Sequence, residues 1–188
     1  MEKKIGILWV QDEEESYLES LTSGIVKELS LLLPDYEIIF FFAQDVSTAY
    51  NLYLSEEKKI NFIVTDVKLP EGKKERIEER LHADNGHLWA TAVNTHSFGG
   101  LNLIKLLAER LRWKKNKTDE LFNLPVIYIS AWEGLNDHRQ ILRLYHQSMT
   151  FAWIDLAELN LQIFAGQIDN LFKIYRAMLQ REAAANTE

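Results

Sequence analysis

A carboxylate stands at the end of an apolar run near the middle of the chain. Residues 60–64 are mostly apolar and rich in β-branched side chains, as expected of a strand that is buried on both faces of a sheet. The run ends at Asp66, and Pro70 prevents its continuation as a central strand. Open α/β sheets bind ligands at the carboxyl ends of their strands, where a carboxylate can act as a nucleophile or bind Mg²⁺. Asp66 is therefore the first candidate for chemistry.

A second acidic cluster has the same placement near the N-terminus. Residues 5–10 form another run of apolar and small residues, and Gln11, Asp12 and Glu13 follow it directly. A single acidic residue at a strand end is most often a simple loop residue. Two acidic clusters that each follow a buried strand form a more specific pattern, provided that the two strands are neighbours in one sheet.

The elements that must position these residues alternate between strands and helices. Amphipathic helical patterns and shorter helical stretches separate the apolar runs. The predicted strands are 5–10, 37–42, 60–66, 125–130 and 150–154, and the main predicted helices are 18–33, 47–54, 99–111, 136–147 and 160–184. This alternation predicts an α/β fold: a flavodoxin-like, doubly wound, five-stranded parallel sheet of order 2-1-3-4-5 with helices on both faces. In that order the first and third strands are neighbours, so Asp12 and Asp66 converge at one crevice.

Length and composition limit the organisation and the partners. The 188 residues predict a single domain, in which residues 71–97 are an insertion and residues 160–188 form a last helix with an extended tail. A net charge of −7 argues against nucleic acid as the main partner. The chain has no cysteine, which fits a cytoplasmic location, and the apolar run after Lys4 is too short for a secretory signal or a membrane span.

At this point the sequence resembles a response-regulator receiver domain of two-component signalling. Asp66-Val67-Lys68-Leu69-Pro70 resembles the phospho-acceptor motif of that family, in which an apolar residue and Pro follow the Asp at the third and fourth positions. The other matching features, in chain order, are Asp12 with Glu13 after the first strand, Gly99-Gly100-Leu101 at the start of a helix, the fourth strand with its end at Pro125–Ala131, and the aromatic Trp153 on the fifth strand.

The resemblance implies a role for each matching residue. Asp66 would be the phospho-acceptor, Ser130 would hydrogen-bond the phosphoryl group, and Trp153 would be the aromatic residue that moves on switching. A Mg²⁺ ion would be bound by Asp12, Asp66 and the backbone carbonyl of Lys68, with Glu13 as an additional candidate ligand.

Two features depart from the family pattern. Gln11 replaces one half of the family's acidic pair, which weakens the negative field around a metal. The lysine and proline that the family places after strand five are Leu156 and Ala157 here, and Asp155 adds a negative charge. Lys68 is a candidate substitute for the missing lysine.

Three functions follow as hypotheses. The first is a receiver-like signalling protein without an output domain, phosphorylated on Asp66 by a histidine kinase or phosphotransfer protein and acting through a downstream protein target. The second is a pseudo-receiver that binds partners without phosphorylation, through the insertion or the last helix. A Mg²⁺-dependent phosphohydrolase ranks last, because Lys68 stands where such enzymes often keep a second Asp. In the first two cases the chain is no enzyme beyond self-phosphorylation and dephosphorylation of Asp66, and a second copy of the chain is a further candidate partner.

Overall fold

The computed structural model describes residues 3–67, 69, 99–115, 124–130, 150–155 and 160–185. These residues form five strands and four helices in the predicted alternation. In chain order they are β1 (Lys3–Val10), α1 (Glu15–Leu32), β2 (Tyr36–Ala43), α2 (Val46–Glu56), β3 (Ile60–Asp66), α3 (Gly99–Lys115), β4 (Val126–Ser130), β5 (Phe151–Asp155) and α4 (Leu161–Ala185). The predicted insertion 71–97 and the predicted helix 136–147 lie outside the described residues.

The five strands form one parallel sheet in the order β2-β1-β3-β4-β5, so the predicted fold class is confirmed. β3 is the central strand and pairs with β1 on one side and β4 on the other. Because all strands run in the same direction, their carboxyl ends share one edge of the sheet. We call this the carboxyl edge; it holds Asp12, Asp66 and Ser130.

Each face of the sheet carries its own apolar cluster. One cluster joins α2 and α3 to strand residues such as Val10, Ile63 and Tyr128. The other joins α1 and α4 to Trp9, Val64 and Ile127. Strands that are apolar on both faces are what a sheet covered by helices on both sides requires, which explains the near-continuous apolar runs of the sequence.

The helix ends follow from local sequence. Asp45 caps α2, since its Oδ1 accepts a hydrogen bond from the Thr48 backbone N–H at 2.8 Å. Asn160 caps α4 in the same way, with its Oδ1 2.9 Å from the backbone nitrogen of Gln162. The apolar stripe on α4 packs on the sheet, with Phe164 and Ile168 fully buried.

A β-bulge sets the register between β1 and β3. Gly6 pairs with Ile60 but Ile7 pairs with Phe62, so Asn61 is the extra residue. The Asn61 Oδ1 accepts a hydrogen bond from the Gly6 backbone N–H at 3.0 Å. Gly6 itself is needed for close approach, because a Cβ there would lie 2.0 Å from the Lys59 carbonyl oxygen. The bulge shifts everything after it by one residue, which decides what lies beside Asp66.

Candidate functional site at the carboxyl edge

Asp66 is the last residue of β3 and is partly exposed. It is the register partner of Ile129 in β4, and the next backbone N–H, that of Val67, donates to the Ile129 carbonyl at 3.0 Å. The ladder therefore holds the backbone on both sides of Asp66, while the side chain stands at the edge where ligands of parallel sheets bind.

The start of α3 lies against the backbone around Asp66. The Gly100 N–H donates to the Val67 carbonyl oxygen at 3.2 Å. A Cβ on Gly100 would lie 1.9 Å from the Asp66 carbonyl oxygen, and a Cβ on Gly99 would lie 2.3 Å from that of Leu69. The predicted helix opening at Gly99-Gly100 is confirmed, and the structure gives its reason: only glycine permits this approach. The positive end of the α3 dipole is thereby next to the Asp66 backbone.

Asp12 and Glu13 reach the same edge from β1. Both are exposed and follow the strand by two and three residues. One or two carboxylates with several waters are the usual protein contribution to a Mg²⁺ site, so Asp12 and Asp66 have the chemistry that this ion prefers, at one edge of the sheet. Among the described residues, no group of three or more His, Cys, Asp or Glu side chains is arranged to hold a metal. The third expected ligand, the Lys68 carbonyl, lies outside the described residues.

Gln11 has a definite position that the sequence did not reveal. Its side chain is 1% exposed, and its Oε1 accepts a hydrogen bond from the indole Nε1–H of the fully buried Trp9 at 3.0 Å. The Gln11 backbone N–H donates to the Ala43 carbonyl oxygen at 3.0 Å, so the extended pairing continues past β1. The spacing of two between Trp9 and Gln11, which puts both on one face of a strand, is the sequence signal that could have indicated this pair.

Ser130 and Trp153 come to the edge from β4 and β5. Ser130 is 3% exposed and follows Ile129, the register partner of Asp66, by one residue. Trp153 is half-buried, pairs with Tyr128, and packs against the cluster under α2 and α3. Ser130 is thus on the strand next to Asp66 at the carboxyl edge. Trp153 is one strand further from Asp66, and it lies two residues deeper in the sheet than the level of Ser130. Leu156, which the resemblance aligns with a lysine of receiver domains, lies outside the described residues.

The Tyr128 hydroxyl is a polar group in the apolar interior of the protein. Its hydroxyl is buried and has no hydrogen-bond partner in the described part of the chain. Burial raises the pKa of the Tyr128 phenol far above its usual value. This could not be predicted from the sequence, because a tyrosine in a strand is ordinarily expected to find a partner for its hydroxyl.

A cleft of about 250 Å³ opens at the carboxyl edge on the β2 side. It lies between the first turns of α1 and α2, and Leu18, Phe42 and Asp45 are among its lining residues. None of the predicted site residues lines it. The cleft is therefore separate from the Asp66 position, which is on the other side of β1.

The fold and the acidic carboxyl edge define a flavodoxin-like α/β protein. The chain is similar to a response regulator receiver domain protein from Clostridium thermocellum, at 13% identity over 93% of this chain and 98% of that one, with a TM-score of 0.49. It is also similar to a chain of the CheX–CheY–BeF3–Mg²⁺ complex from Borrelia burgdorferi, at 17% identity over 89% of both chains, with a TM-score of 0.49. Lysine decarboxylase LdcF from Francisella novicida contains a similar region, at 16% identity over 93% of this chain and 18% of that one, with a TM-score of 0.48.

No protein-family model matches the sequence, and no curated protein matches it either. In the part of the chain that the structure describes, no helix is long and apolar enough to span a membrane.

Proposed function

We propose that this chain is a receiver-like signalling protein that takes up a phosphoryl group on Asp66 and acts through contacts with other proteins. One observation carries the proposal above all. Asp66 ends the central strand between acidic Asp12 after β1 and Ser130 at the end of β4, all on one edge of the sheet. This arrangement combines a nucleophile, a candidate metal ligand and a hydroxyl donor.

The proposed reaction is phosphoryl transfer from a phosphohistidine. A carboxylate oxygen of Asp66 attacks the phosphorus, an O–P bond forms, and the N–P bond to the histidine of a kinase or phosphotransfer protein breaks, which leaves an acyl phosphate. Mg²⁺, when bound by Asp12 and Asp66, would offset negative charge on the transferred group. Ser130 donates its hydroxyl proton in a hydrogen bond to a phosphoryl oxygen.

The readout would pass through β4 and β5. Ser130 and Tyr128 lie on the same strand, and Tyr128 pairs with Trp153 in β5. A pull on Ser130 therefore acts on a strand whose neighbour carries a half-buried indole. This is a local electrostatic change with a packing consequence, which is how modification switches generally act.

A phosphorylation-independent pseudo-receiver is the second candidate. Two departures favour it: Leu156 stands in place of the lysine that would neutralise the phosphoryl group, and Gln11 stands in place of a carboxylate. In that case the protein contacts alone would constitute the function. For the phosphorylated receiver and for the pseudo-receiver alike, we propose that the chain binds another protein: a kinase, a downstream target or a second copy of itself.

The experiment is a titration with beryllofluoride and Mg²⁺, which together imitate an acyl phosphate. Tryptophan fluorescence monitors the binding. We expect weak binding by the natural chain and none by Asp66→Asn. Because the chain has five tryptophans, Trp153→Phe identifies the part of the signal that comes from β5. An equal response of the natural chain and Asp66→Asn would show that Asp66 is not the acceptor. Tight stoichiometric binding with a large Trp153 signal would exclude the pseudo-receiver.

A further inference from the structure

We propose that Gln11 is a pre-oriented hydrogen-bond donor to the phosphoryl group on Asp66. In this role its side-chain amide supplies, through a hydrogen bond, part of the stabilisation of the phosphoryl group that a lysine would supply at the site. The inference rests on the proposed function, because it needs an anionic group on Asp66. Gln11 would then have a function of its own as a hydrogen-bond donor, where the comparison with the receiver pattern shows only that an acid is absent.

The orientation of the Gln11 amide is fixed by Trp9. An indole N–H can only donate, so the Gln11 atom that faces it at 3.0 Å must be the carbonyl oxygen Oε1. Trp9 is fully buried and Gln11 is 1% exposed, which leaves little room for the amide to turn over. The NH2 group must then point away from Trp9. Within the described residues it has no hydrogen-bond partner.

The register places this amide beside Asp66. Trp9 pairs with Val64, and both belong to the apolar cluster under α1 and α4. Two residues further along each strand, Gln11 and Asp66 form the next position on the same face, since side chains alternate along a strand. Neighbouring strands are roughly 5 Å apart, a spacing that amide and carboxylate side chains can bridge through a bound group.

The bulge at Asn61 is what brings Gln11 to this position. Before the bulge Gly6 pairs with Ile60, and a ladder continued in that register would put Asp12 level with Asp66. After the bulge Val10 pairs with Thr65, so Gln11 is level with Asp66 instead. The fold thus places a neutral donor beside the acceptor and moves the nearest carboxylate one residue outward.

The chemistry of the site explains why a donor is suited to this place. An acyl phosphate brings nearly two negative charges at neutral pH, and the sequence has Leu156 where the receiver pattern expects a lysine. A carboxylate at position 11 would add repulsion, whereas an amide N–H donates to a phosphoryl oxygen. The two departures from the receiver pattern, Gln11 and Leu156, therefore compensate each other in charge.

Gln11→Glu tests this role with almost no change in shape. The Glu carboxylate still accepts from the Trp9 indole, so the fold is retained, but the donor is lost and a charge is added. We expect beryllofluoride binding in the presence of Mg²⁺ to weaken by about tenfold or more. In the natural chain, the ¹H–¹⁵N resonances of the Gln11 side-chain NH2 should shift on addition of beryllofluoride. Gln44→Glu, an equal change at an exposed position near the same edge, is the control and should change binding by less than about threefold, because exposed charges are screened.

The outcomes separate the inference from the proposed function. A loss of binding in Gln11→Glu but not in Gln44→Glu, with a shifted Gln11 amide, supports both. If the natural chain binds beryllofluoride but Gln11→Glu binds it equally or more tightly, Gln11 does not act as a donor and the inference is wrong. Asp66 remains the acceptor in that case. If the natural chain shows no binding and no resonance near Asp66 moves, the acceptor role of Asp66 is wrong and the donor role of Gln11 is wrong with it.

Discussion

The α-carbon of Gly100 lies so close to Asp66 that a Cβ at position 100 would stand 1.9 Å from the Asp66 carbonyl oxygen. The same Cβ would stand 2.8 Å from Oγ1 of Thr65, a fully buried residue whose hydroxyl donates to that carbonyl at 3.0 Å. The first turn of α3 and the end of β3 are therefore in backbone contact. This contact joins the position of the proposed acceptor to the helix that covers the sheet.

Gly100→Ala should destabilise the protein by about 1–3 kcal/mol, because the new methyl group meets backbone atoms that have no room to move. Urea unfolding measures the change. Gly166→Ala in α4 is the matched control: a Cβ there meets nothing within 4 Å, so it should stabilise by about 0.5–1 kcal/mol through helix propensity. Equal effects of the two substitutions would mean that the backbone near Asp66 can move to accommodate the methyl group with no loss in the free energy of unfolding.

The sequence predicted the fold because its signals are long and repeated. Buried parallel strands need apolar runs, and the helices between them show clear periodicity, so the order of elements and the convergence of Asp12 and Asp66 on one edge could be inferred. The register could not. Asn61 is one polar residue inside an apolar run, and nothing in the sequence distinguishes a bulge from an ordinary strand residue there. For the same reason the sequence could not predict that Val10, and not Gln11, is the register partner of Thr65.

Tyr128→Phe should leave the protein as stable as the natural chain or more stable, by up to about 1 kcal/mol. The hydroxyl is buried without a hydrogen-bond partner among the described residues, so its removal relieves a desolvation cost. Tyr36→Phe provides the contrast, because the Tyr36 hydroxyl accepts a hydrogen bond from Nη1 of Arg176, and its loss should cost about 0.5–1.5 kcal/mol. Clear destabilisation by Tyr128→Phe in urea unfolding would show that the hydroxyl has a stabilising contact.

Stability should fall in alkaline solution because of two buried phenols. Burial raises the pKa of Tyr128, and burial together with the charges of Glu57 and Tyr175 raises the pKa of Tyr53 against the opposing effect of Arg110. The unfolded chain loses these protons near pH 10, roughly, while the folded chain keeps them, so unfolding becomes easier as the pH rises above that value.

The effect of pH can be assigned to single residues. Below about pH 10 neither phenol affects the pH dependence, and above it each should lower the free energy of unfolding by about 1.4 kcal/mol per pH unit until its folded pKa is reached. Urea unfolding between roughly pH 9 and pH 11 measures the slope. Tyr128→Phe should reduce this slope by about 1.4 kcal/mol per pH unit, which is the contribution of one tyrosine. An unchanged slope would mean that Tyr128 ionises equally in both states.

The last prediction concerns Leu156, which separates the phospho-switch from the pseudo-receiver. Phosphorylation of Asp66 would add nearly two negative charges to an edge that already carries Asp12. A bound Mg²⁺ would offset two charges, and the amide of Gln11 is neutral. Leu156→Lys would return a cation to the slot from which the receiver family neutralises the phosphoryl group. A hydrogen bond between charged groups is worth about 1.5–3 kcal/mol, so binding of beryllofluoride with Mg²⁺ should tighten by about tenfold to a hundredfold.

The same substitution should increase the fluorescence response of Trp153, because a ligand shifts a two-state element only by the difference in its interaction with the two states. Ile163→Lys is the matched control: it adds an equal charge on the exposed face of α4, and it should leave both responses unchanged apart from weak screening effects. Leu156→Lys combined with Asp66→Asn should bind no better than Asp66→Asn alone. If Leu156→Lys fails to tighten binding in a chain that still unfolds cooperatively, then position 156 does not face the acceptor, and the missing lysine is not what limits the switch.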